Sequence, residues 1–465
     1  MPETQASKAG NESGGSSSDC YESYDDEAQA PGIDVVSSAD VLMDSLLKAA
    51  LDDECFSTET SESQLQVEDL VLSLIRSFPA PERPLLLRSR HIPFLEQPFN
   101  GLSKWWVALD ASKPWLIMWM LHSLDLLGVD IPVSIKERAI SSLSACQHSS
   151  GGYGGGPGQI AHLATTYAAV NAIAIIGTPE AYQSINRELL YSFLLAMKQV
   201  DGSYCMHHGG EIDVRGTYCA VNAAQLVGIL SAELVDRAGE FIVRCQTYEG
   251  GIGAIPGVEA HGGYSYCAVA AMEIIGKMDM LDIDALTAWV CARQMPLEGG
   301  FNGRTNKLVD GCYSFWQGGI VSLIEMHRSK KLGRQVNIFN HGKDILGSLN
   351  DWQYFKVAFD VDHAVICFHY PLPHPIDALQ KYILICCQGE HGGLRDKPGK
   401  SPDYYHSCYC LSGLSVSQHV YQNADNEIIA LPRTSILGPP GNLLHPTHPT
   451  HNIRMERAKE IKAFF

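Results

Sequence analysis

The residues most capable of chemistry lie in KLVDGCYSFWQGG, residues 307–319, where Lys307, Asp310 and Cys312 are followed at once by Tyr313, Phe315 and Trp316. A second loop, SPDYYHSCYC at 401–410, adds His406 three positions after Asp403. A carboxylate, a thiolate and an imidazole drawn from two loops make a three-ligand zinc set with an open fourth position, the catalytic rather than the structural pattern. Taken alone, D-x-C is a weak signal, because a buried thiol beside a turn carboxylate is far commoner than a ligand pair, so the surrounding plan of the chain must be weighed with it.

Two further groups accompany these residues. His261, Arg304, Lys307, Lys397, Lys400 and Arg215 are cationic or imidazole positions in polar loops. Such loop charges are often merely solvated, but their concentration suits a polyanion such as a diphosphate. Trp115, Trp119, Tyr167, Tyr218, Tyr264, Tyr266, Trp316, Tyr404, Tyr405 and Tyr409 supply aromatic surface, some for helix packing and the rest for lining an apolar barrel. Zinc would activate a substrate thiol, the cations would receive charge on a departing diphosphate, and the barrel would hold an apolar chain. That combination specifies S-prenylation of a protein cysteine.

The elements that must position these residues come from an internal repeat. ACQHSSGGYGGGPGQIAHLATTYAA at 145, MKQVDGSYCMHHGGEIDVRGTYCA at 197, RCQTYEGGIGAIPGVEAHGGYSYCA at 244, RQMPLEGGFNGRTNKLVDGCYSFW at 293 and CCQGEHGGLRDKPGKSPDYYHSCYC at 386 share one plan. In each, a helix ends near a Gln, a Gly turn and a long polar loop follow, and a second apolar helix begins. Gln147, Gln199, Gln246 and Gln294 fall about 50 residues apart, and Gln388 follows after roughly two periods. Residues 327–377 account for the gap as an insertion of loops and extra helix. The fold class is therefore all-α, with helical hairpins stacked into a superhelix or a closed ring and the loops gathered at one end. His162, Asp213, His261, Asp310 and Asp403 recur just before the second helices, as helix caps or as part of a site.

With 34 Lys and Arg against 52 Asp and Glu, the net charge of −18 argues against general binding to nucleic acid or to an anionic membrane. The longest apolar window, PWLIMWMLHSLDLLGVDIPV, is interrupted by His122 and Asp125 and predicts no membrane span. Residues 1–35 read as a disordered acidic tail without a secretory signal, 36–425 as the catalytic domain, and 426–465 as a C-terminal extension. Fourteen cysteines in such a chain read as thiols in a reducing compartment, with the cytoplasm as the expected location.

The motifs LDASKPW, EAHGGYSYC, GGFNGRTNKLVDGCYSFW and GGLRDKPGKSPDYYHSCYCLSGL closely resemble the β-subunit family of protein prenyltransferases, over about residues 100–325 and 378–417, and within it the farnesyl branch. The resemblance implies a closed α-α toroid and an obligate heterodimer with a prenyltransferase α subunit. It implies farnesyl diphosphate as co-substrate and proteins ending in C-a-a-X, such as Ras-like GTPases, as acceptors. By the same resemblance Asp310, Cys312 and His406 are zinc ligands, and His261, Arg304, Lys307 and Tyr313 are diphosphate contacts. Arg215, Tyr218, Cys267 and Trp316 are isoprenoid wall, and Asp396 is a recruiter of Mg²⁺. Trp115, Trp119 and Tyr405 belong to the pocket for the penultimate peptide residue, and Ala111, Ser112, His162 and Ala164 to the pocket for the last. Bulky Trp115 and Tyr167 predict a tunnel short enough for a 15-carbon chain. Thr165 stands where the family has proline.

The geranylgeranyl branch is the nearest rival, separable by chain-length selectivity and Mg²⁺ dependence. Triterpene cyclases build similar rings but require an acidic D-x-D-D donor that DVDHA at 360 does not provide. A helical scaffold with structural zinc would need a fourth protein ligand, and none stands at suitable spacing.

Overall fold

Outer and inner helices differ in composition before they differ in position. The outer ones bury a single stripe: Val133–Cys146 (α4) buries Ala139, Leu143 and Cys146, and Ala238–Cys245 (α8) buries Ala238, Gly239, Phe241, Ile242 and Cys245. The inner ones are buried around most of their circumference. Leu163–Ile176 (α5) buries every residue except Ala164, and its alanines let neighbouring helices approach closely. The computed structural model describes residues 57–78, 83–101, 104–338, 357–361, 364–368, 375–424, 427–434 and 436–465. The acidic tail expected at 1–35 and much of the insertion lie outside them.

Glu59–Ser77 (α1) and Arg88–Glu96 (α2) precede the first inner helix, Lys113–Leu126 (α3). Thereafter outer and inner helices alternate: α4, α5, Arg187–Met197 (α6), Val214–Leu226 (α7), α8, Gly262–Ile274 (α9), Ile283–Cys291 (α10), Tyr313–Leu332 (α11), Pro375–Lys381 (α12) and Tyr404–Gln418 (α13). Each inner helix packs on the next in the series α3, α5, α7, α9, α11, α13, and α13 packs back on α3. The ring is closed, as an α-α toroid requires.

The recurrent glutamines join the repeats. Gln246 donates to the Asp282 carbonyl at 3.0 Å and accepts from its N–H at 2.9 Å, which ties the end of α8 to the start of α10. Gln294 donates to Pro375 O at 2.7 Å ahead of α12. Gln388 accepts from Leu87 N at 2.8 Å and donates to Leu85 O at 3.0 Å, so the last repeat is stapled to the entry of α2. Gln199 departs from the pattern, and Lys198 makes its bridge through the Leu234 and Asp236 carbonyls. The glycine turn is obligatory at Gly151, whose φ is 102° and where a Cβ would overlap the Leu189 carbonyl.

Two hairpins depart from the all-helical expectation: Val357–Val361 (β1) with Ala364–Phe368 (β2) inside the insertion, and His419–Ala424 (β3) with Glu427–Pro432 (β4). The residues set apart in sequence as a C-terminal extension are packed on the ring. Met455–Phe464 (α14) lies against α5 and α7. The segment before it turns its carbonyls inward: Thr447 O accepts from Tyr421, Pro449 O from Tyr266, Thr450 O from Tyr218 and His451 O from Asn171, all at 2.8–2.9 Å. No helix among the described residues is long and apolar enough to cross a membrane.

Candidate active site

The recurring residue before each inner helix is a backbone cap. His162, Asp213, His261 and Asp310 each accept from the N–H two positions on, at Ala164, Arg215, Gly263 and Cys312, over 2.8–3.1 Å. Asp403 breaks the series, because Oδ1 accepts from His406 N at 2.7 Å and Oδ2 accepts from His406 Nδ1 at 2.6 Å. Capping anchors the loops, and the fourth and fifth loops use the anchored ends for something more.

Asp310, Cys312 and His406 bring one oxygen, one sulfur and one nitrogen within 4.8 Å of one another. His406 Nε2 is 3.3 Å from Asp310 Oδ1. With Nδ1–H committed to Asp403, Nε2 faces the other two groups and would turn its lone pair on a cation that displaced its proton, the arrangement by which an outer carboxylate orients a ligating imidazole. Burial acts to lower the His406 pKa, but bonds from Asp310 and Asp403 outweigh it and lift the group to about 10. Burial would raise Asp310, yet His406 and the Cys312 N–H hold it below the usual carboxylate range. Burial and the Asp310 charge push the Cys312 thiol well above its ordinary value. Without a cation the group retains protons on sulfur and nitrogen, and a dication would replace them. The donor set and geometry fit zinc.

A second cluster, His162, His207 and Glu211, also lies within 4.8 Å. It differs at the decisive atom. His162 Nδ1 accepts the Ala164 N–H, so the neutral ring carries its proton on Nε2 and offers a donor where a ligand would need a lone pair. Glu211 is exposed and lies 3.6 Å from Arg215.

The cap at His261 has the same tautomeric consequence. Its Nε2–H donates to the Tyr313 hydroxyl at 3.0 Å, which leaves the phenolic proton to be donated outward. Arg304 is 2.5 Å from Glu259 of the preceding loop, and Lys307 is exposed. Arg215 grips Asp213 through Nη2 at 2.6 Å and lies over the Tyr264 ring. Asp396 holds the Lys397 ammonium at 2.5 Å.

Below these loops the aromatic residues form a closed girdle. Trp115, Tyr167, Tyr218, Tyr266, Trp316, Tyr409, Tyr405 and Trp119 follow one another with ring centroids 4.3–5.7 Å apart, and Trp119 returns to Trp115. All six inner helices contribute. Trp316 Nε1 donates to the Tyr405 hydroxyl at 3.2 Å. Cys267 is buried beside this wall, and Ser112 caps α3 without a side-chain bond. Thr165 is committed to backbone, donating to Tyr153 O at 2.6 Å. The orienting role of Asp403 on His406 and the Glu259 clamp on Arg304 were missed in the sequence. The three-residue spacing of Asp403 and His406 was the available signal for the first, whereas the second joins two loops and left none.

The family model described as the prenyltransferase alpha-alpha toroid domain matches residues 86–453. The chain is 44% identical over 381 residues to the protein farnesyltransferase subunit beta of Pisum sativum, covering 77% of this chain and 90% of that one. It is 40% identical to the Arabidopsis thaliana subunit, over 88% of this chain and 90% of the relative, and 35% identical to that of Schizosaccharomyces pombe, over 88% and 97%. The solved structure of Candida albicans protein geranylgeranyltransferase-I complexed with GGPP aligns with a TM-score of 0.58, at 20% identity, over 82% of this chain and 99% of that one, a likeness of fold. A closed ring of six inner helices, a loop-borne ligand group and extended identity to these relatives together place the chain: it belongs to the prenyltransferase alpha-alpha toroid family, among the β subunits of protein farnesyltransferases.

Proposed function

We propose that this chain is the catalytic β subunit of a heterodimeric protein farnesyltransferase, moving the farnesyl group of farnesyl diphosphate to the cysteine thiol of C-a-a-X tails. The observation that carries the reading is the group of Asp310, Cys312 and His406, with His406 held through Nδ1 by Asp403 and its Nε2 turned to Asp310, set in the loops above the aromatic girdle. A zinc ion held there would lower the pKa of a bound substrate thiol and favour its thiolate.

The chain's own residues divide the remaining tasks. Tyr313, whose hydroxyl oxygen accepts the His261 Nε2–H and whose proton is therefore free to point elsewhere, donates that proton to the diphosphate as negative charge gathers on it. Arg304 and Lys307 add cations from the same loop, and Asp396 recruits Mg²⁺. The girdle excludes water from the isoprenoid, and the contact of Trp115 with Tyr167, at 5.6 Å, limits its depth to a 15-carbon chain. Trp119, Tyr405, Ser112 and His162 receive the peptide. Support for an α-subunit partner lies in the apolar side chains these loops expose: Ile160, Val200, Ile212, Tyr248 and Ile255.

Metal content and prenyl transfer on the co-expressed heterodimer test the reading, with farnesyl and geranylgeranyl diphosphate competing for a C-a-a-X peptide, with and without Mg²⁺. One zinc per heterodimer and Mg²⁺-stimulated farnesyl transfer are expected. Zinc without transfer to any such peptide would leave the fold and refute the function.

A further inference from the structure

Asp396 is fixed against the ligand loop by its own backbone. Its carbonyl accepts from Gly311 N, between Asp310 and Cys312, at 2.6 Å, and from the Tyr382 hydroxyl at 2.7 Å. Its carboxylate is close enough to Cys312 to help raise that thiol's pKa. Both carboxylate oxygens are engaged by the next residue: Oδ1 accepts from Lys397 N at 2.7 Å and Oδ2 from Lys397 Nζ at 2.5 Å. Neither side chain extends into solvent, with exposures of 11% for Lys397 and 17% for Asp396. The place a dication would take on Asp396 is therefore held by an ammonium of the same chain.

We propose that Lys397 is a built-in counter-ion that competes with the divalent cation for Asp396 and sets the cation concentration at which diphosphate chemistry responds. The inference rests on the reading of Asp396 as the Mg²⁺ recruiter. Magnesium binds such sites through one or two carboxylates together with substrate phosphate oxygens and keeps several waters. A carboxylate already neutralised by an ammonium offers it little, and its apparent affinity falls by the fraction of time the carboxylate is free. A charge-assisted bond of this class is worth roughly tenfold or more in that equilibrium. A bound diphosphate would draw the ammonium to itself and release Asp396, so diphosphate and dication should assist one another reciprocally.

The test uses Mn²⁺ as the probe, its binding to the zinc-loaded heterodimer followed by electron paramagnetic resonance with and without a non-transferable farnesyl diphosphate analogue. Lys397→Met should bind Mn²⁺ about tenfold more tightly than the parent, most clearly without the analogue. Lys397→Arg, which keeps the charge, should stay near the parent, and the Mg²⁺ midpoint for turnover should move with the Mn²⁺ affinity. Unchanged or weaker Mn²⁺ binding by Lys397→Met overturns the proposal. Asp396→Asn with parental Mn²⁺ affinity would show that Asp396 holds no cation, a separate failure that removes the underlying reading as well. Zinc content and heterodimer elution establish that each variant is assembled, with Lys397→Gln as the substitute should Lys397→Met fail to assemble.

Discussion

Two clusters among the described residues gather three ligand-type side chains within the same 4.8 Å, and they differ at the imidazole nitrogen that a metal would meet. At Asp310, Cys312 and His406 the imidazole donates Nδ1–H to Asp403, so the ring proton a cation would displace is the one on Nε2, which faces Asp310. At His162, His207 and Glu211 the leading imidazole spends its Nδ1 lone pair on a helix cap and keeps a proton on Nε2. Proximity is equal, and a backbone hydrogen bond decides the chemistry. The difference shows that a cluster's donor list is incomplete without the partner on the far side of each ring.

The largest expected break is Cys312→Ala, which should abolish stoichiometric zinc and lower turnover by roughly three orders of magnitude or more. Circular dichroism and heterodimer elution should stay parental, and retained zinc would remove the thiol from the ligand set. Asp403→Asn keeps a cap but weakens the orienting carboxylate, so zinc affinity should fall about 10- to 100-fold in metal-buffer titrations. An unchanged affinity would mean that orientation does not separate the clusters.

The two imidazoles should also titrate in opposite directions. In the zinc-stripped heterodimer His406 has a folded-state pKa of about 10 against an unfolded value of 6.5. Its stabilising contribution is therefore complete below pH 6.5 and is lost as pH rises through about 10. The difference in unfolding temperature between the parent and His406→Gln should shrink over that window. His162, whose pKa burial depresses, should be neutral throughout it. A His406 difference that grows with pH would contradict the geometry. The smallest effect belongs to His207→Ala, for which zinc stoichiometry should stay at one per heterodimer with affinity within about twofold. Loss of a metal equivalent would make the second cluster a site and dissolve the comparison.

The ring was legible in the sequence because each hairpin must place its Gln, Gly turn and small-residue helix in the same order to stack on its neighbour. The grouping of Asp310, Cys312 and His406 was legible because their chemistry coincided with that order. What the repeat did not encode was hidden. The tautomers of His162 and His406 depend on single hydrogen bonds that residue type cannot express. The inward carbonyls of 447–451 are backbone groups, identical in every residue, so the packing of the C-terminal segment on the ring left no side-chain signature.

Those carbonyls give the C-terminus a place in the timetable of synthesis. Tyr218, Tyr266 and Asn171 lie on inner helices made early, yet their hydrogen-bond partners come from Thr450, Pro449 and His451, more than a hundred residues later in the chain for each. On the ribosome the inner helices can form as they emerge, while these donors wait until residues 449–451 have been made. A nascent chain halted before residue 447 would hold the Tyr266 hydroxyl and the Asn171 amide in an apolar core without these carbonyl acceptors, so residues 447–451 satisfy a ring whose inner helices have already closed on one another.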